Sequence, residues 1–384
     1  MVDFIGAVSQ CVFDENTNKF YIRGWILSHY DEITIETLDN KTLHGKVETG
    51  LPRSDIFNKY PEYNNNNSGW EFYGDNESLY VKDMQLQIKF KRNNDYVISK
   101  QVEVLPNVKN IIDNIAVNQT VKYENSFPAK TKNIIEDIVK YDVDFEEYIV
   151  DFGDFEKWYE EIDYPNSYPV YANEFGINKN LKKKALQHYL SYKLLELDKK
   201  DVYVDIASSN SVFPDILLNT YGLTDVLRQD LMYSPGIKGG RIGSNVNSIP
   251  IENDKINAMG LHCSWEHFEN NADIDYLSEG ARILQKNGKI CIIPLYLAEE
   301  YLIMTSPSCW LSKYNCDIPI FDKDAIIYID ENIQQRQSKY FNVEHLKSKL
   351  LDVYSDILDF KIYYFKNCTE FKGAPVFSLV ATKK

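Results

Sequence analysis

No apolar run approaches the roughly 18 residues a helix needs to cross a bilayer, so the 384-residue sequence holds no candidate membrane span. Cysteine is scarce. Six of them, Cys11, Cys263, Cys291, Cys309, Cys316 and Cys368, are too scattered to staple a disulfide scaffold. No Cys-x-x-Cys pair supports a zinc site around His262, Cys263 and His267, so no metal is expected. Basic residues are outnumbered, 42 Lys and Arg against 57 Asp and Glu, and the net charge of −15 repels nucleic-acid phosphates and anionic lipid. The one dense basic run, Lys179 to Lys184, opens an amphipathic helix and reads as a solvated face. Met1-Val2-Asp3 lacks the basic-then-apolar pattern of a secretory leader, and a reducing cytoplasm is the expected compartment. No G-x-G-x-x-G follows an early strand, which argues against a nicotinamide-dependent dehydrogenase.

What is present is ordinary for a globular protein: 44% hydrophobic and 26% charged residues. The length is about twice that of a typical domain of ~100–200 residues, so two domains are expected. From Phe4 to about Val104, short runs rich in Val, Ile, Thr, Tyr and Phe alternate with Asn, Asp and Gly clusters. Phe20–Leu27, Glu32–Leu38 and Met84–Phe90 show the period of half-buried strands, and a small β-sandwich over residues 1–105 fits. The polar stretch Asn64–Gly69 reads as a loop. Residues 106–163 turn helical, as in Ile134, Ile135, Ile138 and Val139, and predict a helical connector with an acidic face. Residues 164–384 alternate helix with apolar strand: helix Leu181–Leu197, then strands Val202–Ile206, Ile256–Leu261 and Gly288–Leu295. That alternation predicts a parallel, doubly wound α/β sheet.

The first hundred residues carry Gly24-Trp25, Gly50-Leu-Pro-Arg-Ser-Asp-Ile56, Tyr60-Pro-Glu62 and Ser68-Gly-Trp-Glu-Phe72. In these motifs the segment resembles a β-sandwich module attached to bacterial cell-surface glycosyltransferases and related glycan enzymes. Trp25 and Trp70 are either core packing or exposed faces for sugar stacking.

In an open α/β sheet, ligands bind beyond the carboxyl ends of the strands. The first such end reads Asp205-Ile-Ala207-Ser-Ser209-Asn-Ser211, an acid followed by small residues at alternate positions. A second strand, Asp225–Asp230, ends in a carboxylate at the spacing where a βαβ unit offers an acid to ribose hydroxyls. Leu261-His262-Cys263-Ser264-Trp265-Glu266-His267 closes a later strand, and helix Tyr276–Leu284 leads into the next. Phe360–Phe365 and Pro375–Thr382 follow.

In this order of motifs the region from Tyr164 to Lys384 resembles the class I S-adenosylmethionine-dependent methyltransferases, whose Rossmann-like fold closes with an antiparallel hairpin. The resemblance implies S-adenosylmethionine as cofactor, with Asp205, Ala207, Ser209 and Ser211 in the cofactor loop. It places Asp230 on the ribose and Ser244 and Asn245 beside the adenine, with His262 next to the methyl group. Where the family has glycines, this chain has Ala207, Ser209 and Ser211, and each Cβ restricts positive φ.

Methyl transfer to a hydroxyl needs a proton acceptor, and His267, His262 or Glu266 could supply it. His267 is the first choice, because neighbouring residues on a strand face opposite sides and a strand-end residue such as His262 can face into the sheet. Tyr296–Phe341 is long, polar and aromatic, and reads as a lid or acceptor-site wall suited to a sugar ring. The expected function is O-methylation of a sugar or glycan-linked acceptor, in the company of glycosyltransferases. The alternative is a binding or scaffold protein of a glycan-assembly complex with a degenerate methyltransferase domain.

Overall fold

The computed structural model describes residues 6–14, 19–53, 56, 63, 65, 67–75, 84–92, 95–103, 112, 115–175, 179–310, 319–368 and 375–384. Tyr60-Pro-Glu62, Tyr314, Cys316 and parts of the Gly50–Ile56 and Asn64–Gly69 stretches lie outside the described residues, as does the expected boundary near residue 105. The chain divides into two compact units. The first comprises Met1–Tyr123 with Thr305–Pro319 and Ile329–Arg336; the second comprises Glu124–Met304, Ile320–Tyr328 and Gln337–Lys384.

In the first unit, β1 (Gly6–Asp14), β2 (Lys19–Ile26), β5 (Gly69–Asp75) and β4 (Gly45–Leu51) form an antiparallel sheet in that order. A second antiparallel sheet runs β3 (Glu32–Thr37), β6 (Gln85–Arg92), β7 (Asp95–Glu103). Alternate side chains of both sheets enter one core: Phe20, Ile22, Trp70 and Phe72 from the first, Ile33, Ile35, Leu86, Ile88 and Phe90 from the second. Trp70 is fully buried with its ring edge-on to Phe90 at 5.8 Å, so it packs the core and presents no face to a ligand. Gly24 lies against that indole; a Cβ there would meet Trp70 ring atoms at 2.7 Å. A two-residue strand, β8 (Val121–Lys122), comes near the end of this stretch of chain.

The second unit is built on an eight-stranded sheet. Its strands are β9 (Phe145–Tyr148), β10 (Val202–Ile206), β11 (Asp225–Lys238), β12 (Arg241–Gly243), β13 (Ile256–His262), β14 (Leu284–Ile293), β18 (Leu358–Phe365) and β19 (Phe377–Lys383). The order across the sheet is β12-β11-β10-β13-β14-β19-β18-β9. β10, β11, β13 and β14 are mutually parallel, and β19 is inserted antiparallel between β14 and β18. This is an open, Rossmann-like sheet that reverses its winding between β10 and β13. The helix Lys179–Leu195 packs with Phe155, Trp158, Phe213 and Leu217 in the core beside this sheet.

Two features differ from the sequence-based expectation. Residues 106–163 were expected to be a helical connector, yet β9 lies within them and extends the main sheet beside β18. Phe155, Trp158 and Ile162 of the helix Phe152–Ile162 sit in the core of the second unit. The four-residue β9, whose sequence reads Phe-Glu-Glu-Tyr, pairs only at an edge, so its acidic residues stay solvated and mimic a loop. β11 also runs past Asp230: it pairs with β12 in parallel at Arg228–Asp230, then folds back against the same β12 at Ile237–Lys238. Gly239 and Gly240, with φ of 57° and 77°, make that return. Within the Tyr296–Phe341 stretch, β15 (Leu302–Thr305) pairs antiparallel with β17 (Ser338–Tyr340), and β16 (Ile326–Ile329) is a further short strand.

Candidate active site

A cleft opens at the carboxyl ends of β10 and β13, where the winding reverses. Asp205 to Ser211 form one wall, His262, Cys263 and Ser264 another, and Tyr171, Phe175, Lys184 and His188 a third. The loop after β10 is held by its neighbours. Asp205 accepts hydrogen bonds from Tyr203 Oη at 3.0 Å and Ser208 Oγ at 2.8 Å, and pairs with His262 Nδ1 at 3.2 Å. Burial alone would raise the Asp205 pKa, but the His262 bond and charge and the Ser208 and Ser211 hydroxyls outweigh it, and the carboxyl is held below its usual value. Gln229 on β11 takes the Ala207 amide at 3.2 Å on its Oε1, and its backbone carbonyl takes the Ser208 amide at 2.9 Å.

The loop turns through Ala207 and Ser209 at φ of 51° and 43°. These are left-handed conformations in residues with a Cβ, so the glycine-free loop has the turn that glycines favour and carries strain for it. A third non-glycine residue of the cleft, Cys263, has φ of 52°. Its turn breaks strand alternation, so His262, Cys263 and Ser264 all line the cleft. His262, a candidate base and cofactor neighbour from the sequence, thus lines the cleft although it ends a strand.

Asp230 does not stand where ribose hydroxyls could use it freely. Its Oδ2 accepts the Ser209 amide and its Oδ1 the Met232 amide, both at 2.8 Å, and the residue is 8% exposed. It is outside the cleft lining and acts as a clamp on the loop. Asn245 Oδ1 accepts the Asn247 amide at 3.3 Å, and Ser244 offers its carbonyl to Gln229 Nε2; neither lines the cleft.

His262 has its Nδ1 against a carboxylate, which only accepts, so Nδ1 carries a proton; in the neutral ring Nε2 then carries the lone pair. That Nε2 is buried without a partner. Glu266 and His267 sit on the short turn of 3₁₀ helix Trp265–His267 and do not line the cleft. His267 Nδ1 lies 2.7 Å from the Gln337 carbonyl, and its Nε2 is 3.5 Å from Glu266 Oε1. Glu266 is 5% exposed, burial raises its pKa, and its Oε2 has no partner. The turn is anchored by Trp265, whose Nε1 donates to the Asp273 carbonyl and whose ring stacks on Phe341 at 5.3 Å.

Several lining residues escape a reading of spacing. His188 is fully buried, accepts or donates at Nδ1 with Tyr164 Oη at 2.9 Å, and stands edge-on to the His262 ring at 5.1 Å. Burial, aided by His262 and Lys184, drives its pKa well below the usual histidine value. Gln187 beside it accepts from Cys263 Sγ at 3.3 Å. The available signal was two polar residues inside the otherwise apolar run Ala185 to Leu190 of a buried helix. Lys184, expected on a solvated face, lies in the cleft wall instead. Among the described residues no group of three or more His, Cys, Asp or Glu is placed to hold a metal, and no helix is long and apolar enough to cross a membrane.

The second unit is thus a Rossmann-like α/β domain with a polar cleft at its switch point. No family model and no curated protein matches the sequence. Solved structures with some likeness include the Burkholderia thailandensis 1,6-didemethyltoxoflavin-N1-methyltransferase with bound 1,6-didemethyltoxoflavin and S-adenosylhomocysteine. It is 12% identical, with 59% of this chain and 89% of that chain covered and a TM-score of 0.37. Another is the Streptomyces coelicolor A3(2) geranyl diphosphate C-methyltransferase in complex with Mg2+, geranyl diphosphate and S-adenosyl-L-homocysteine. It is 13% identical, with 52% and 78% covered and a TM-score of 0.32. Likeness at this level carries nothing about substrate or activity.

Proposed function

We propose that the second unit is an S-adenosylmethionine-dependent methyltransferase acting on a hydroxyl acceptor. The observation that carries the reading is the cleft at the β10/β13 switch point, with a sharply turned small-residue loop on one side and the Asp205–His262 pair on the other. The residues present fit the cofactor in part. The loop Ala207–Ser211 keeps side chains small where a backbone must approach a ligand, and Asp205 supplies negative charge suited to a sulfonium; Asp230, occupied by two amides, does not fit the ribose role. The cofactor would supply a methyl group on a cationic sulfur, open to in-line displacement. The protein's own part is alignment and proton removal. Asp205 fixes the His262 ring and leaves Nε2 as the proton acceptor, which makes His262 a better base than His267, whose Nδ1 is tied to Gln337 and whose ring is outside the cleft.

The finer reading is O-methylation of a sugar or glycan-linked acceptor in the cytoplasm, alongside glycosyltransferases. It is supported by the resemblance of the N-terminal segment, read as a β-sandwich module, to modules of glycan enzymes. A second reading, a binding or scaffold protein with a degenerate methyltransferase domain, is favoured by the strained glycine-free loop and the occupied Asp230. Calorimetry with S-adenosylmethionine and S-adenosylhomocysteine separates the two. Saturable heat with both is expected; no heat with either selects the scaffold.

A further inference from the structure

The outer face of the four-stranded sheet in the first unit carries more than the plain polar side chains that the solvent side of an antiparallel sheet shows. On β2, Ile22 is fully buried and Gly24 lies against the Trp70 ring, so Tyr21, Arg23 and Trp25 point outward, each half-buried. On β5, Trp70 and Phe72 are buried, and Glu71 and Tyr73 point outward, Tyr73 with 45% of its surface exposed. The β2–β5 register runs without a shift from Lys19 to Trp25, so alternation holds across the patch and sets Tyr21 beside Tyr73 and Arg23 beside Glu71. From β4, Lys46 stands beside Tyr73 and Glu48 beside Glu71, while Val47 between them packs against the core. The two tyrosines form one platform. Their rings meet at 5.1 Å, and each hydroxyl donates to a different oxygen of Glu71, Tyr21 at 3.1 Å and Tyr73 at 2.8 Å. Rings fixed in this way lose little freedom when a ligand packs on them.

We propose that this face is a carbohydrate-binding surface and that its ligand is a neutral glycan, with the apolar face of a sugar ring packed on Tyr73 and Tyr21 and its hydroxyls shared between Arg23 and Glu71. The polar groups beside the rings are of both kinds. Arg23 brings guanidinium donors next to the Tyr21 hydroxyl, and Glu71 keeps acceptor capacity, since a carboxylate has about four lone-pair sites and the tyrosines take two. Charge complementarity selects an uncharged ligand. Among the described residues of the patch, Arg23 and Lys46 balance Glu48 and Glu71, and Lys46 is already paired with Glu48. An ionic ligand therefore meets a like charge for each opposite one, whereas a hydroxyl both donates and accepts and can use either neighbour. A peptide that adds a strand needs an unpaired sheet edge, and β2 and β5 are the two central strands, each hydrogen-bonded on both sides. Nucleic acid is opposed by the net charge of −15. The assignment is independent of methyl transfer in the second unit and gives the first unit a binding role of its own.

Saturation-transfer NMR on the full chain tests this, with maltotetraose, cellotetraose, mannotetraose and chitotetraose as neutral probes and tetragalacturonate as the charged one. Transfer to at least one neutral tetrasaccharide is expected. Titration should show that Tyr73→Ala weakens it by roughly 10–100-fold, the loss of one aromatic packing surface, and that Tyr73→Phe, which keeps the ring, retains most of the affinity. Arg23→Gln should weaken it as well. The melting temperature of Tyr73→Ala should stay within about 2 °C of the parent, because the side chain lies on the surface. No transfer to any neutral probe overturns the proposal. Transfer that survives both Tyr73→Ala and Arg23→Gln puts the sugar elsewhere, as in the cleft of the second unit, and overturns it equally. Stronger binding of tetragalacturonate overturns the neutral assignment, and dimerisation that Tyr73→Ala abolishes, without transfer to any sugar, would give the face to a second copy of the chain instead.

Discussion

Ala207 and Ser209 show how single side chains decide this site. Each holds a left-handed φ that costs an L-residue roughly 1–2 kcal/mol, which glycine avoids at the expense of a more flexible unfolded chain. Ala207→Gly and Ser209→Gly are therefore expected to stabilise the protein by about 0.5–1 kcal/mol each, read from the urea midpoint. Asp230 acts in the opposite sense. Its carboxylate receives the Ser209 and Met232 amides in a buried setting, so Asp230→Ala should cost about 2–3 kcal/mol of stability. A variant as stable as the parent, but weaker for cofactor, would return Asp230 to the ribose. For His262→Asn, turnover should fall on the order of 10²–10⁴-fold, with His267→Asn within a small factor of the parent, in single-turnover transfer at saturating cofactor.

At the scale of elements, β17 is locked to the helix Ala272–Ile283 by Lys339 Nζ and Asp273 Oδ2 at 2.6 Å, with side chains 3% and 1% exposed. Removing one partner strands a buried charge. Lys339→Met alone should cost about 3–5 kcal/mol, and the double variant Lys339→Met, Asp273→Leu should recover most of it. A double-mutant cycle with no coupling would contradict that account. The turn of 3₁₀ helix Trp265–His267 brings a pH dependence. The folded-state pKa of Glu266 is raised by burial, so the folded protein holds this proton more tightly than the unfolded chain. The associated stability is full below the ordinary glutamate pKa and is lost as pH rises through the raised value. Glu266→Gln should remove this slope, so that the variant gains on the parent as pH climbs above the ordinary glutamate range, followed by thermal melts across that range.

At the scale of the molecule, the core shared by the two sheets of the first unit runs, among the described residues, from Cys11 to Phe90, although Thr305–Pro319 and Ile329–Arg336 are grouped with that unit. A fragment of residues 1–123 should then show β-type circular dichroism and a cooperative melt. A fragment without a transition would mean that the later segments are required for its core. The change of local structure from strand to helix was legible in the switch of hydrophobic period, from two along Phe20–Leu27 to helical spacing at Ile134–Val139. The limits were less so, since β9 is too short and acidic to announce itself.

The sequence by itself determined the local grammar of this protein. Val202–Ile206 is a strand because five consecutive residues suit a buried parallel position, and Asp205 marks its functional end because a charge there needs partners. It also determined that small side chains line the first turn. Tertiary structure alone decided what those residues touch. Asp230 became a clamp because the loop it faces turns two amides toward it, and His188, 74 residues before His262, became its ring neighbour because a helix and a strand end meet across the cleft. Such pairings depend on register and on φ at single positions such as Cys263, which side-chain periodicity does not encode.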